Sequence, residues 1–141
     1  MKKINTTYII DDDPIFIFGL KRMLEHADFC NEFVVFNNGE DALDALKPLM
    51  KTRENFPELI LLDLNMPIMD GWQFLDEFIK EDCPKKTIIY IISSSIDPVD
   101  IEKAKEYQNV SSYVIKPITR DKIRYIAEEM HVLNNTDEDH H

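Results

Sequence analysis

Apolar residues along this chain fall into short uninterrupted runs, and each run stops at small polar or charged residues. Between the runs, apolar positions recur at spacings of three and four. The runs predict strands and the recurrences predict amphipathic helices. The run Leu59-Ile60-Leu61-Leu62 has no polar face, which suits a strand buried on both sides of a sheet. Asp63 follows it directly, and Asn65, Pro67, Asp70 and Gly71 then force a turn.

The remaining elements follow in order. Thr7–Ile10 predicts a first strand, ending in Asp11-Asp12-Asp13-Pro14, where the proline suits a first helical turn. Phe16, Leu20, Met23 and Ala27 mark the inner face of the first helix. Glu32–Phe36 predicts a second strand, and Asn37-Asn38-Gly39 a turn. Ala42, Leu43, Ala45, Leu46 and Leu49 make a second helix that Pro48 is expected to close or kink. After a polar connection and the strand at 59–62, a helix carries Trp72, Leu75, Phe78 and Ile79. Ile88–Ile92 is a fourth strand ending in Ser93-Ser94-Ser95, and Pro98 starts a helix with Ile101, Ala104 and Tyr107 inward. Tyr113–Ile115 is a fifth strand ending in Lys116-Pro117. Thr119–Val132 supplies the last helix, with Ile123, Ile126, Ala127 and Met130 inside.

Five strands alternating with five helices imply an α/β fold, a doubly wound parallel sheet covered on both faces. Residues 1–133 read as one domain. Residues 134–141 read as an acidic, frayed tail whose final His140-His141 resembles a cloning remnant.

Composition narrows the function. Of 141 residues 44% are hydrophobic, enough for a full core, so global disorder is excluded. Acidic residues outnumber basic ones 27 to 16, a net charge of −11, which argues against nucleic-acid or anionic-membrane binding through the chain as a whole, one basic face aside. No stretch approaches the roughly 20 apolar residues of a spanning helix, and the N-terminus has no signal-peptide core. Cys30 and Cys83 are far apart and read as structural thiols in a reducing cytoplasm.

In a doubly wound sheet the residues that end the strands gather along one edge. Here that edge receives Asp11 and Asp12, Asp63, Ser93 and Lys116. Singly, the lysine reads as a surface residue and the serine as a turn residue. Together they are harder to dismiss. Two like charges ~4 Å apart repel by roughly 4 kcal/mol at an effective dielectric near 20, so three clustered carboxylates call for a cation or raised pKa values. An all-oxygen site suits Mg²⁺. A carboxylate beside such a cation can act as nucleophile toward a phosphoryl group, with the lysine and the hydroxyl meeting its oxygens. The constellation describes phosphoryl transfer onto Asp63.

At this point the chain resembles a known family. Ile10-Asp11-Asp12-Asp13-Pro14, the stretch from Asp63 to Gly71, the Ser93 region and Tyr113-Val114-Ile115-Lys116-Pro117 are similar to the receiver domain of two-component response regulators. The resemblance spans about Tyr8 to Val132 and implies a flavodoxin-like fold with strand order 2-1-3-4-5. It implies that Asp63 accepts a phosphoryl group from a histidine kinase or a histidine phosphotransfer protein. Asp12 would bind Mg²⁺ (or Mn²⁺) directly and Asp11 mainly through water, with Asp63 and the Asn65 backbone carbonyl completing the ligands. Asp13 matches no functional position. Ser93 would be the switch hydroxyl, Tyr113 the aromatic that turns inward and Lys116 the phosphate partner, followed by a cis Lys116–Pro117 bond. The stretch from Ser93 to Lys116 is slightly longer than the family's usual spacing, so Ser94 is the alternative switch hydroxyl.

The resemblance further implies a stand-alone, cytoplasmic signalling module with weak self-catalysis, not an enzyme. Its downstream protein would read the face formed by the fourth helix, fifth strand and fifth helix, with no nucleic acid or membrane involved. The stretches LILLDLNMP and SSSIDPVD also look like small regulators paired with phytochrome-type kinases. A haloacid-dehalogenase-type phosphatase would need an acid where Asn65 stands. A receiver that works without phosphorylation would not need the full set of acidic and basic residues. His26 on an amphipathic helix reads as a surface residue and Trp72 as packing.

Overall fold

The computed structural model describes residues 4–52, 54–81 and 87–138, with side chains of the last helix described as far as His131. Cys83 and His140-His141 lie outside the described residues. The strands are β1 (Ile4–Ile10), β2 (Cys30–Phe36), β3 (Leu59–Leu62), β4 (Ile88–Ser93) and β5 (Val110–Ile115). They alternate with α1 (Pro14–His26), α2 (Gly39–Thr52), α3 (Gly71–Lys80), α4 (Pro98–Ala104) and α5 (Arg120–Glu138). The sheet is parallel throughout, in the order β2-β1-β3-β4-β5, as the pattern of the sequence and its resemblance implied.

β3 shows why the sheet needs two apolar layers. Leu59 and Leu61 belong to the core under α1 and α5, with Leu20, Leu24, Ile123, Ile126 and Met130. Ile60 and Leu62 belong to the opposite core under α2, α3 and α4, with Leu43, Leu46, Phe74, Phe78 and Ala104. All four strand residues are buried, each contributing about 1.5–3 kcal/mol by removal from water. Among the described residues no helix is long and apolar enough to cross a membrane.

Several boundaries and faces differ from expectation. β1 begins at Ile4, three residues before the expected start, because Ile4 pairs with Cys30, and the polar Thr6 that obscured this lies buried in a central strand. Cys30 itself is buried at the start of β2. α1 buries Leu20 and Leu24, while Ala27 is exposed as its C-cap. α2 does not end at Pro48 but runs to Thr52, with the proline inside the helix. In α3 Leu75 and Phe78 are buried as expected and Phe74 is buried with them, whereas Ile79 is 51% exposed. α5 continues past Val132 to Glu138, because extending a formed helix costs little.

Candidate functional site

The strand ends converge as the topology requires. The Asp11 N–H donates to the Phe36 carbonyl at 3.0 Å and the Asp63 N–H to the Ile10 carbonyl at 2.9 Å, so both carboxylates stand just past the last paired residues. Asp11 and Asp63 are buried; Asp12 is exposed. One oxygen from each of the three lies within 4.8 Å of the others. Asp13 points elsewhere. Its carboxylate accepts the Ile15 and Phe16 N–H groups at 3.0 and 3.3 Å and caps α1.

Lys116 enters from the end of β5, where its N–H donates to the Ser93 carbonyl at 2.8 Å. Its Nζ is 3.0 Å from Asp11 Oδ2 and 3.8 Å from Asp63 Oδ1. It also sits 4.1 Å from the centre of the Phe16 ring, a cation–π contact that the helical pattern of α1 did not reveal. The Lys116–Pro117 bond is cis, in keeping with the resemblance.

Burial, and then the charge of Asp11, push the Asp63 carboxyl up to about 6, against the pull of Lys116. Asp11 is also raised, first by burial, while the Asp13 N–H at 3.0 Å and Lys116 oppose the rise. Three carboxylates against one ammonium leave the pocket short of positive charge. An oxygen-only donor set with one solvent-facing member fits a hard divalent cation that keeps part of its water. Asn65 lies exposed in the turn after Asp63.

The turn is held from behind. Asp70 and Gln73 form a reciprocal cap on α3, with Gln73 N–H to Asp70 at 2.9 Å and Asp70 N–H to Gln73 at 3.0 Å. The Gly71 N–H donates to the Leu64 carbonyl at 2.9 Å. A Cβ at Gly71 would lie 2.5 Å from the Asp63 carbonyl oxygen, so α3 can approach the site only with glycine there.

The three serines from the last residue of β4 onward separate cleanly. Ser93 is fully buried, and its Oγ accepts the Ser95 N–H at 3.1 Å; Ser94 is exposed. Tyr113 is half-buried against the α2/α3/α4 core, and its hydroxyl donates to the Ser95 carbonyl at 2.9 Å. Sequence reasoning missed Phe16, Gly71 and Ser95, whose contacts arise only once the strand ends meet. His26 is exposed on α1, away from the strand ends. Trp72 stacks on Tyr107 at 5.9 Å, with Lys103 4.7 Å above its ring.

Comparison with known proteins agrees with this geometry. The family described as the response regulator receiver domain matches residues 7–128. An uncharacterized response regulatory protein of Staphylococcus epidermidis is 31% identical over 120 residues, covering 85% of this chain and 44% of that protein. The chain thus spans less than half the length of the first curated relatives it matches. A two-component response regulator of Cytophaga hutchinsonii superposes with a TM-score of 0.82 at 30% identity, over 92% of this chain and 98% of the other. The Mn²⁺-bound form of the response regulator Rcp1 shares the fold, with a TM-score of 0.73 at 21% identity over 88% and 90% of the two chains. The chain belongs to the response regulator receiver domains, signalling modules of two-component systems.

Proposed function

We propose that this receiver takes a phosphoryl group on Asp63 from a phosphohistidine of a histidine kinase or a histidine phosphotransfer protein. The observation that carries the reading is Asp63 itself: a buried carboxylate at a sheet edge, beside two further carboxylates and within 3.8 Å of an ammonium. Asp11, Asp12 and Asp63, with the Asn65 backbone carbonyl, would hold Mg²⁺ or Mn²⁺, which when bound supplies positive charge to the phosphoryl oxygens.

The chain's own residues supply the rest. An Asp63 carboxylate oxygen attacks phosphorus, the P–N bond to the imidazole breaks, and the ring nitrogen leaves with the electron pair. Lys116 turns from Asp11 to an oxygen of the transferred group, and the Ser93 hydroxyl donates to another. Weak self-catalysis follows, since the same groups assist attack by water on the acyl phosphate. The added charge would alter the face formed by α4, β5 and α5, which a downstream protein reads.

Incubation with phosphoramidate or acetyl phosphate and Mg²⁺ tests the reading. The expected product is an acid-stable, base-labile adduct that Asp63→Asn abolishes. A full-strength adduct in Asp63→Asn would overturn it.

A further inference from the structure

Ser95, in the β4–α4 connection, hydrogen-bonds both the Ser93 hydroxyl and the first turn of the following helix. Its N–H donates to Ser93 Oγ at 3.1 Å, and its carbonyl accepts the Tyr113 hydroxyl at 2.9 Å. Its own Oγ donates to Asp100 Oδ2 at 2.7 Å and accepts the Asp97 N–H at 3.3 Å. Asp97 is the N-cap of α4, accepting the Val99 N–H at 2.9 Å, and Asp100 lies in that helix's first turn. We propose that Ser95 is the positioning residue through which a change at Asp63 reaches α4, an inference that rests on Asp63 being the phosphoacceptor.

α4 is a natural receiver of such a signal. It runs only from Pro98 to Ala104, and Ala104 is its single buried side chain. Few apolar contacts hold so short a helix, so the polar links at its first turn weigh heavily in where it sits. Ile96 and Val99, each 71% exposed, ride on the same segment, so a shift there re-presents apolar surface to a partner.

The coupling follows from hydrogen-bond accounting. Drawing the Ser93 hydroxyl toward a phosphoryl group on Asp63 takes the acceptor away from the Ser95 N–H. An unpaired donor in a half-buried loop is unfavourable, so the loop shifts until that N–H is met again. Two groups move with it. The carbonyl carries the Tyr113 hydroxyl, and the Ser95 Oγ carries Asp97 and Asp100 at the start of α4. The backbone and the side chain of one residue thus address different targets.

That division supplies the experiment. Ser95→Ala keeps the N–H and the carbonyl but severs the side-chain link to α4. Amide shifts are recorded on adding beryllofluoride and Mg²⁺ to wild type, Ser95→Ala, Asp100→Ala and Ser95→Thr. In Ser95→Ala and Asp100→Ala the response at Tyr113 should persist, while that of Asp97 to Ala104 falls roughly twofold or more. Ser95→Thr, which retains the hydroxyl, should restore it. An undiminished α4 response in Ser95→Ala would overturn the relay and leave the phosphoacceptor reading standing. Loss of the Tyr113 response together with that of α4 would also overturn it, because the two arms would not be separate. Absence of any response in wild type would overturn the phosphoacceptor reading and the relay with it.

Discussion

Lys116 bonds Asp11 at 3.0 Å and stands at 3.8 Å from Asp63, so the ammonium rests on Asp11 rather than on Asp63. Its side chain is 17% exposed, and those of Asp11 and Asp63 3% and 7%. Removing it leaves two buried carboxylates without their cation. Lys116→Met should therefore lower stability at pH 7.5 in metal-free buffer by about 1–3 kcal/mol. It should also slow adduct formation with phosphoramidate. Urea unfolding and a labelling time course would check both effects. Unchanged stability would mean that the pair contributes nothing to holding the edge together.

Asp63 carries the opposite sign of stability. Its folded-state pKa of about 6 lies above its ordinary 3.8, because burial and Asp11 disfavour the charged form. The folded protein thus binds that proton more tightly than the unfolded chain does. The contribution is most favourable below about pH 4 and is lost as pH rises toward 6, leaving a constant penalty above it. Asp63→Asn should accordingly stabilise the metal-free protein at pH 7.5, on the order of 1–2 kcal/mol, with the gain fading toward pH 4. Adding Mg²⁺ should narrow the difference, since the cation relieves the wild-type charge. Chemical denaturation across that range, with and without Mg²⁺, reads it directly.

The sequence exposed the strand ends because a buried parallel strand is apolar throughout and its first polar residue marks where it surfaces. Asp11, Asp63, Ser93 and Lys116 all stand just past or at such ends. What it hid depends on partners distant in the chain. Ser95 looks like any turn serine until Tyr113 and Asp100 fold against it. Phe16 reads as helix core until Lys116 arrives over its ring. Gly71 reads as turn chemistry, whereas its need comes from close approach to the Asp63 backbone. Helix faces slipped by one residue where neighbours were equally apolar: Leu24 is buried beside half-buried Met23, and Phe78 is buried beside exposed Ile79.

The neighbouring aspartates differ in placement: Asp13 caps α1 and Asp12 joins the carboxylate cluster. Asp13 is spent on the Ile15 and Phe16 N–H groups, whereas Asp12 stands in the carboxylate cluster. Asp13→Ala should cost about 1 kcal/mol of stability through the lost cap and leave Mg²⁺ binding near wild type. Asp12→Ala should do the reverse, abolishing the Mg²⁺-induced change in Trp72 fluorescence at little cost to the fold. Loss of metal binding in Asp13→Ala alone would place the ligand one residue later than the geometry does.

Burial favours Ser93 over Ser94 as the proposed switch hydroxyl. Ser93 is 0% exposed at the end of β4, bonded through its oxygen to the segment that meets Tyr113, while Ser94 is exposed. A hydroxyl that already helps to position the loop can transmit a change when it turns toward Asp63; one in solvent has nothing to release. Ser93→Ala should still form the adduct, because the nucleophile, Lys116 and the metal ligands are intact. Its response to beryllofluoride around Tyr113 should shrink, since two arrangements that no longer differ in a hydrogen bond are less strongly biased by the ligand. Ser94→Ala should respond as wild type does. Equal amide shifts around Tyr113 in wild type and Ser93→Ala would remove Ser93 from the switch. A deficit confined to Ser94→Ala would transfer the role to its neighbour, against the burial that separates them.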